Sequence, residues 1–409
     1  MSKLALLGGQ PIRTRPFPGW PEWDETEIRA VEEVIRSAKW GSLHGNKVRE
    51  FEKRYAEAHQ AKHGIAVYNG TVALELALQA CGVGPGDEVI LPAYTFIASA
   101  TAVLMKGAVP VFADIDLETF TLDLVSAEKV VTPRTRAVMP VHLAGRPCNM
   151  DAVGAFAKKH GLRVIEDAAQ AWGASWRGIP VGAIGSAGGF SFQSSKNITA
   201  GEGGIILSND AGVAELARSI ANCGRLPGGI WYAHYHLGTN ARMTEFQGAV
   251  LLAQFARYPA GQDRRHRNAQ LLDKSLAAHP GIKPLRADDR ITGHAHHLHV
   301  LRYLPDKWDG VPKNRFLEAM KAEGVALSAG YSLPLYEQPV LKNRAFGALS
   351  SWFADKIDYH NVQLSATHTA CYEQAIWVVQ SFLLGDEEDM RDIARAAEKV
   401  YEYRNELLV

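Results

Sequence analysis

Short apolar runs alternate with segments whose apolar residues recur every three to four positions along most of the first 260 residues. Such runs read as strands buried on both faces, and the periodic segments between them as helices with one apolar side. The predicted strands are Ile65–Tyr68, Glu88–Leu91, Val109–Phe112, Ala137–Val141, Arg163–Glu166, Gly189–Phe192 and Gly204–Leu207. Helices are predicted over Thr71–Ala80, after a turn at Asn69-Gly70, and over Asp151–His160. An earlier helix opens at Asp24, an N-cap residue with its reciprocal partner Glu27 three positions on, and runs to Ser37. Strands joined by helices imply an α/β fold built on a large, mostly parallel sheet.

The pattern changes at both ends. Residues 1–20 are rich in Gly and Pro and read as an extended N-terminal arm, so the large α/β domain is assigned to 21–260. From 261 to 409 a helix, a strand over His297–Tyr303, a helix over Lys313–Glu323 and a long amphipathic helix over Glu387–Leu407 predict a smaller C-terminal α+β domain. A chain of 409 residues exceeds what one compact core ordinarily holds.

Composition narrows the partners. Lys plus Arg and Asp plus Glu both number 44, so no net field recruits nucleic acid or an anionic membrane. The apolar run Leu4–Leu7 is short for a signal peptide, and Lys106 interrupts the stretch from Phe96 to Ala113, which predicts neither export nor a membrane span. Cys81, Cys148, Cys223 and Cys371 are scattered without a Cys-x-x-Cys pair, as expected of reduced thiols in a cytoplasmic protein.

The chemistry concentrates in Ser191-Phe192-Gln193-Ser194-Ser195-Lys196-Asn197-Ile198-Thr199-Ala200-Gly201-Glu202-Gly203-Gly204. Small hydroxyl residues and glycines let a planar ligand approach Lys196, and partial desolvation lowers an amine's pKa enough to make it an imine-forming nucleophile. Asp167 ends the strand Arg163–Glu166 and points into the crevice where open α/β sheets place ligands. A buried carboxylate there needs a cation, and the protonated ring nitrogen of pyridoxal 5′-phosphate is one. Gly70 and Thr71, at the start of a helix after a strand, offer a phosphate site that Ser191 completes. Gln170, three residues past Asp167, is expected to face the same cofactor.

These motifs, in order with Leu7-Gly8-Gly9-Gln10-Pro11, Pro92-Ala93-Tyr94-Thr95-Phe96, Gly238-Thr239-Asn240 and Leu384-Gly385-Asp386-Glu387-Glu388-Asp389-Met390, resemble the DegT/DnrJ/StrS family of sugar aminotransferases. The resemblance implies an aspartate-aminotransferase-like PLP fold type I, with Lys196 and Asp167 catalytic. It implies that Phe96 stacks on the cofactor ring, with Tyr94 as the alternative, and that Asn240 reaches the phosphate of a neighbouring subunit in a homodimer with shared active sites. It further implies an amino donor, L-glutamate or L-glutamine, and a keto sugar or keto-cyclitol acceptor. Gly330-Tyr331-Ser332-Leu333-Pro334-Leu335-Tyr336 and Cys371-Tyr372-Glu373 look closer to the branch acting on inososes than to the branch acting on nucleotide-linked ketosugars. The rival classes are a dehydratase on the same fold, which would lack the imine-forming lysine, and a non-catalytic regulatory protein, which would lose Lys196 or Asp167.

His142, Arg225, His236 and Tyr331 are the candidates for lining the substrate pocket. No metal is expected, because strand alternation would send His294 and His296 to one face and His297 and His299 to the other.

Overall fold

The computed structural model describes residues 3–408. In chain order the strands are β1 (His63–Val67), β2 (Glu88–Pro92), β3 (Val109–Ala113), β4 (Thr135–Val138), β5 (Arg163–Asp167), β6 (Ser175–Trp176), β7 (Ile179–Pro180), β8 (Ala187–Ser191), β9 (Gly204–Ser208), β10 (Ile282–Pro284), β11 (Ile291–Gly293), β12 (Leu298–Tyr303) and β13 (Ala375–Val379). Seven of them form the main sheet in the order β1-β9-β8-β5-β4-β2-β3. All run parallel except β9, which is antiparallel to both neighbours. The fold is therefore α/β with a mostly parallel sheet. The single reversal arises because residues 192–203, between β8 and β9, contain no crossover helix. That connection carries Lys196.

Period-two alternation explains why the strands read as continuous apolar runs. On β5, Val164 faces a core with Phe51, Tyr55 and Phe190, while Ile165 faces the opposite core with Leu74, Val103 and Ile206. The helix Glu25–Ser37 opens as expected, with Asp24 accepting from the Thr26 N–H at 2.7 Å and Glu27 accepting from the Asp24 N–H at 3.0 Å. β4 stops at Val138, short of the expected Val141, because Pro140 has no N–H to give the ladder. Val141 recovers a single bridge to Asp167.

A second core gathers around Tyr303, Trp308 and Phe316, beneath the antiparallel sheet β10-β12-β13 and the helices Lys313–Ala322 and Glu387–Glu402. The last of these helices ends sooner than expected, and Arg404–Leu407 is a separate 3-10 turn. No linker separates the two regions. One helix, Glu245–Leu276, crosses residue 260 unbroken with Pro259 inside it, its first half packed on the main sheet and its last turns on the second core. β11 also crosses over, pairing with β6.

The N-terminal segment is tied down rather than loose. Leu4 is fully buried in the second core, and Glu323 accepts from the N–H groups of Ala5 (2.8 Å) and Ile12 (3.0 Å). The guanidinium of Arg13 is buried between Asp389 at 2.6 Å and Asp392 at 3.0 Å. Removing such a cation strands two carboxylates away from water. Arg13→Met is expected to destabilise the protein by about 3–5 kcal/mol, seen as a lower urea midpoint with an unchanged slope.

Candidate active site

A cavity of about 980 Å³ opens at the carboxyl ends of the parallel strands. β1 delivers Asn69, Gly70 and Thr71 to it, β2 delivers Thr95 and Phe96, β4 leads to Val141 and His142, β5 ends in Asp167, and β8 ends in Ser191. The crossing of ends from several parallel strands makes this the natural ligand crevice of such a sheet. Lys196 lines the same cavity.

Asp167 is held from two sides. One carboxylate oxygen accepts from Ser99 Oγ at 2.6 Å and the other from the Ala169 N–H at 3.1 Å. Lys196 sits in a turn, its N–H donating to the Gln193 carbonyl at 2.8 Å. The turn is pinned by Thr199 Oγ1 to the Phe192 carbonyl (2.9 Å) and by Asn197 Nδ2 to the Ala295 carbonyl (2.7 Å). Burial pushes the Lys196 amine down to about 8, against the opposing pull of the Asp167 carboxylate. At that value about a tenth of the amine is neutral at pH 7, far more than for an ordinary lysine.

The strand-turn-helix at Asn69 builds an anion cradle. Asn69 caps the helix Gly70–Ala80 by accepting from the Val72 N–H at 2.9 Å, so the preceding N–H groups of Gly70 and Thr71 stay at the open, positive end. Ser191 closes against this end so tightly that a Cβ on residue 70 would lie 2.6 Å from the Ser191 Cβ. Gly204 on β9 is equally constrained, since a Cβ there would lie 2.3 Å from the Asn69 carbonyl oxygen.

Of the two aromatics weighed for stacking, Phe96 lines the cavity and is 57% exposed, whereas Tyr94 is buried against Phe120, Tyr331 and Trp377. Gln170 and Tyr331 meet on the cavity wall: Gln170 accepts from the Ala144 N–H at 2.6 Å and donates to the Tyr331 hydroxyl at 3.3 Å.

His142 also lines the cavity, but both ring nitrogens are engaged within the protein. Nε2 lies 3.0 Å from Glu166, and Nδ1 accepts from the Cys148 N–H at 3.1 Å. Glu166, fully buried, also accepts from the N–H groups of Gly182 and Gly185, each at 2.7 Å. Its role was missed in the sequence. The signal was an acidic residue inside an otherwise apolar strand, which must find donors on the face opposite Asp167.

Three predicted residues stand outside this cavity. Gly224, at a left-handed φ of 80°, folds residues 222–240 back on the end of the helix Ala211–Ala221. Arg225 consequently sits 5.9 Å over the Trp231 ring, and His236 bonds Ser219 Oγ at 2.9 Å, so neither lines the pocket of its own chain as expected. Asn240, exposed, bridges Asn222.

The histidine segment also departs from expectation. His296 takes a positive φ of 50° and β12 begins only at Leu298, so the alternation breaks. His294 and His296 stack at 4.1 Å, and His299 turns towards the same cluster, its Nε2 2.9 Å from a carboxylate oxygen of Asp273. His297 alone lines the cavity. Among the described residues no three His, Cys, Asp or Glu side chains are arranged to hold a metal ion. Trp20, from the N-terminal arm, and Gln380, just after β13, complete the cavity walls without a sequence signal of their own.

Residues 21–383 match the sequence model of the DegT/DnrJ/EryC1/StrS aminotransferase family. An L-glutamine:2-deoxy-scyllo-inosose aminotransferase of Streptoalloteichus tenebrarius is 37% identical over 423 residues, covering 99% of both chains. The enzyme of the same name from Streptomyces paromomycinus is 36% identical over 418 residues, covering 97% of both. Among solved structures, 3-amino-5-hydroxybenzoic acid synthase superposes with a TM-score of 0.83 at 33% identity, over 95% of this chain and 99% of that one. Fold, cavity and likeness along the whole length agree, and the chain belongs to the DegT/DnrJ/EryC1/StrS family of aminotransferases.

Proposed function

We propose that this aminotransferase carries an amino group from L-glutamine to the ring ketone of a keto-cyclitol, using pyridoxal 5′-phosphate in the cavity described above. The observation that carries the reading is the meeting of an amine of lowered pKa, a buried carboxylate and an anion cradle in one crevice. The residues suit that cofactor. Gly70, Thr71 and Ser191 would hold its phosphate, Asp167 its ring nitrogen, Phe96 one face of its ring, Gln170 its ring oxygen, and Lys196 its aldehyde carbon. Bound there, the cofactor stores the amino group between two half-reactions and acts as an electron sink.

The protein's own share is positional and acid-base. Asp167, fixed by Ser99 and the Ala169 N–H, holds the proton on the ring nitrogen. Lys196 Nζ, once released, takes the proton from the donor α-carbon and returns one in the opposite half-reaction. In this reading residues 21–260 are the cofactor domain, residues 1–20 the arm, and residues 261–409 a smaller domain that supplies Tyr331, His297 and Gln380. A homodimer with shared sites accounts for the exposed segment that bears Arg225, His236 and Asn240, on which Ile230, Trp231, Tyr232 and Leu237 are each more than 70% exposed. No helix among the described residues is long and apolar enough to cross a membrane, and four unpaired cysteines suit the cytoplasm.

L-Glutamine supports this choice of donor, and an inosose this choice of acceptor, through the names of the two aminotransferases at 36–37% identity. Purified protein loaded with the cofactor should lose its imine absorbance on addition of L-glutamine and regain it with a keto-cyclitol. Return of the absorbance only with nucleotide-linked ketosugars would shift the acceptor class. Absence of any change with every amino donor would remove the reading. Lys196→Ala should fold normally and fail in both half-reactions.

The lowered amine pKa has a sign that can be checked. In protein stripped of cofactor, the rate of imine formation with added aldehyde should rise with pH through a midpoint near 8, well below an ordinary lysine. Asp167 raises the value, so Asp167→Asn should move that midpoint lower. An upward movement would show that the carboxylate does not act on Lys196.

A further inference from the structure

β12 and β13 pair with Leu298 opposite Val379, which sets His297 opposite Gln380 one step beyond the last pair of the ladder. Both side chains line the cavity, and they are only 7% and 3% exposed. Their polarity is fixed by their neighbours. Gln380 Oε1 accepts from Arg265 Nε at 2.8 Å and Nη2 at 2.5 Å. A guanidinium only donates, so the amide oxygen must face it, which turns the Nε2 donor away from the arginine. On the other strand, Asn197 Nδ2 donates to the Ala295 carbonyl, so its oxygen faces His297 Nδ1 at 3.2 Å. That nitrogen therefore carries the ring proton, and Nε2 is left as a bare acceptor on a residue that shares a cavity wall with Lys196.

Arg265 gives this donor its charge. It is 1% exposed, stacks 5.3 Å from the Trp20 ring, and among the described residues pairs with no carboxylate, only with Gln380. Burial lowers its pKa to about 10, so it remains a cation at neutral pH. An unpaired buried cation favours an anion placed just beyond its hydrogen-bond partner. Of the two substrates, a keto-cyclitol is neutral, whereas the amino donor brings a carboxylate and an amine on adjacent atoms.

From this geometry we infer that Gln380, positioned by Arg265, binds the α-carboxylate of the amino donor, while His297 Nε2 accepts from its α-ammonium. The inference rests on the amino-acid donor reading above and assigns that donor its subsite. Gln380→Glu keeps the size of the side chain and gives Arg265 a better partner, but replaces the amide donor with a repelling carboxylate. It should raise the KM for L-glutamine by about 10- to 100-fold, the loss of one hydrogen bond to a charged group, and change the KM for the keto-cyclitol with pre-aminated enzyme by a clearly smaller factor. Arg265→Met should produce the same one-sided split, which a purely structural loss would not. Glutarate, titrated calorimetrically as a non-reacting carboxylate probe, should bind more weakly to Gln380→Glu by a similar factor. Unchanged glutarate affinity, or equal losses in both half-reactions, would overturn the assignment. Wild-type protein that binds glutarate in a Gln380-dependent way yet reacts with no amino donor would sink the functional reading and leave the carboxylate subsite standing.

Discussion

An amine taken out of water opposite a carboxylate is the tension around which this molecule is arranged. Burial drives Lys196 towards its neutral form, and Asp167 pulls the other way, so the balance depends on how each is held. The amine is held by a turn that could form only because the chain reverses between β8 and β9 without a helix. The acid is held by a hydroxyl and an N–H that compensate its charge.

Two acidic neighbours on one strand show how the sheet divides labour. Glu166 and Asp167 are adjacent, so alternation sends them to opposite faces. Glu166 is satisfied entirely by Gly182, Gly185 and His142 and serves as a fixed floor. Asp167 keeps its charge directed at the cavity. His142 lines the cavity while Glu166 and the Cys148 N–H occupy both its nitrogens. Close packing at Gly70 and Gly204 performs a comparable service at the other end, bringing a helix terminus against β8 and β9 where any side chain would hold them apart.

Features that depend on a few consecutive residues were legible. The capping box at Asp24 and Glu27, the turn at Asn69-Gly70, and the strands on either side of Lys196 were all readable from local pattern. So was the pairing of Lys196 with Asp167, since each ends or follows a strand of one parallel sheet. The errors came where one backbone angle decides direction. With a positive φ at His296 the expected pair His297 and His299 splits, His299 joining His294 and His296 while His297 lines the cavity, and the left-handed turn at Gly224 keeps Arg225 and His236 off the cavity of their own chain. A helix continuing through Pro259 likewise defies the local expectation of a break.

The amino-acid order by itself determined the alternation of strands and helices, the turn at Gly70 and the placing of Lys196 and Asp167 in one crevice, because each is written in residues close together or in a strand end that the sheet must expose. Only the tertiary structure decided that His297 faces Gln380, that Arg265 lies behind it with no carboxylate ion pair among the described residues, and that Trp20 closes the wall. Those contacts are set by strand register and by the docking of two regions on one long helix, and neither leaves a mark in any stretch of neighbouring residues.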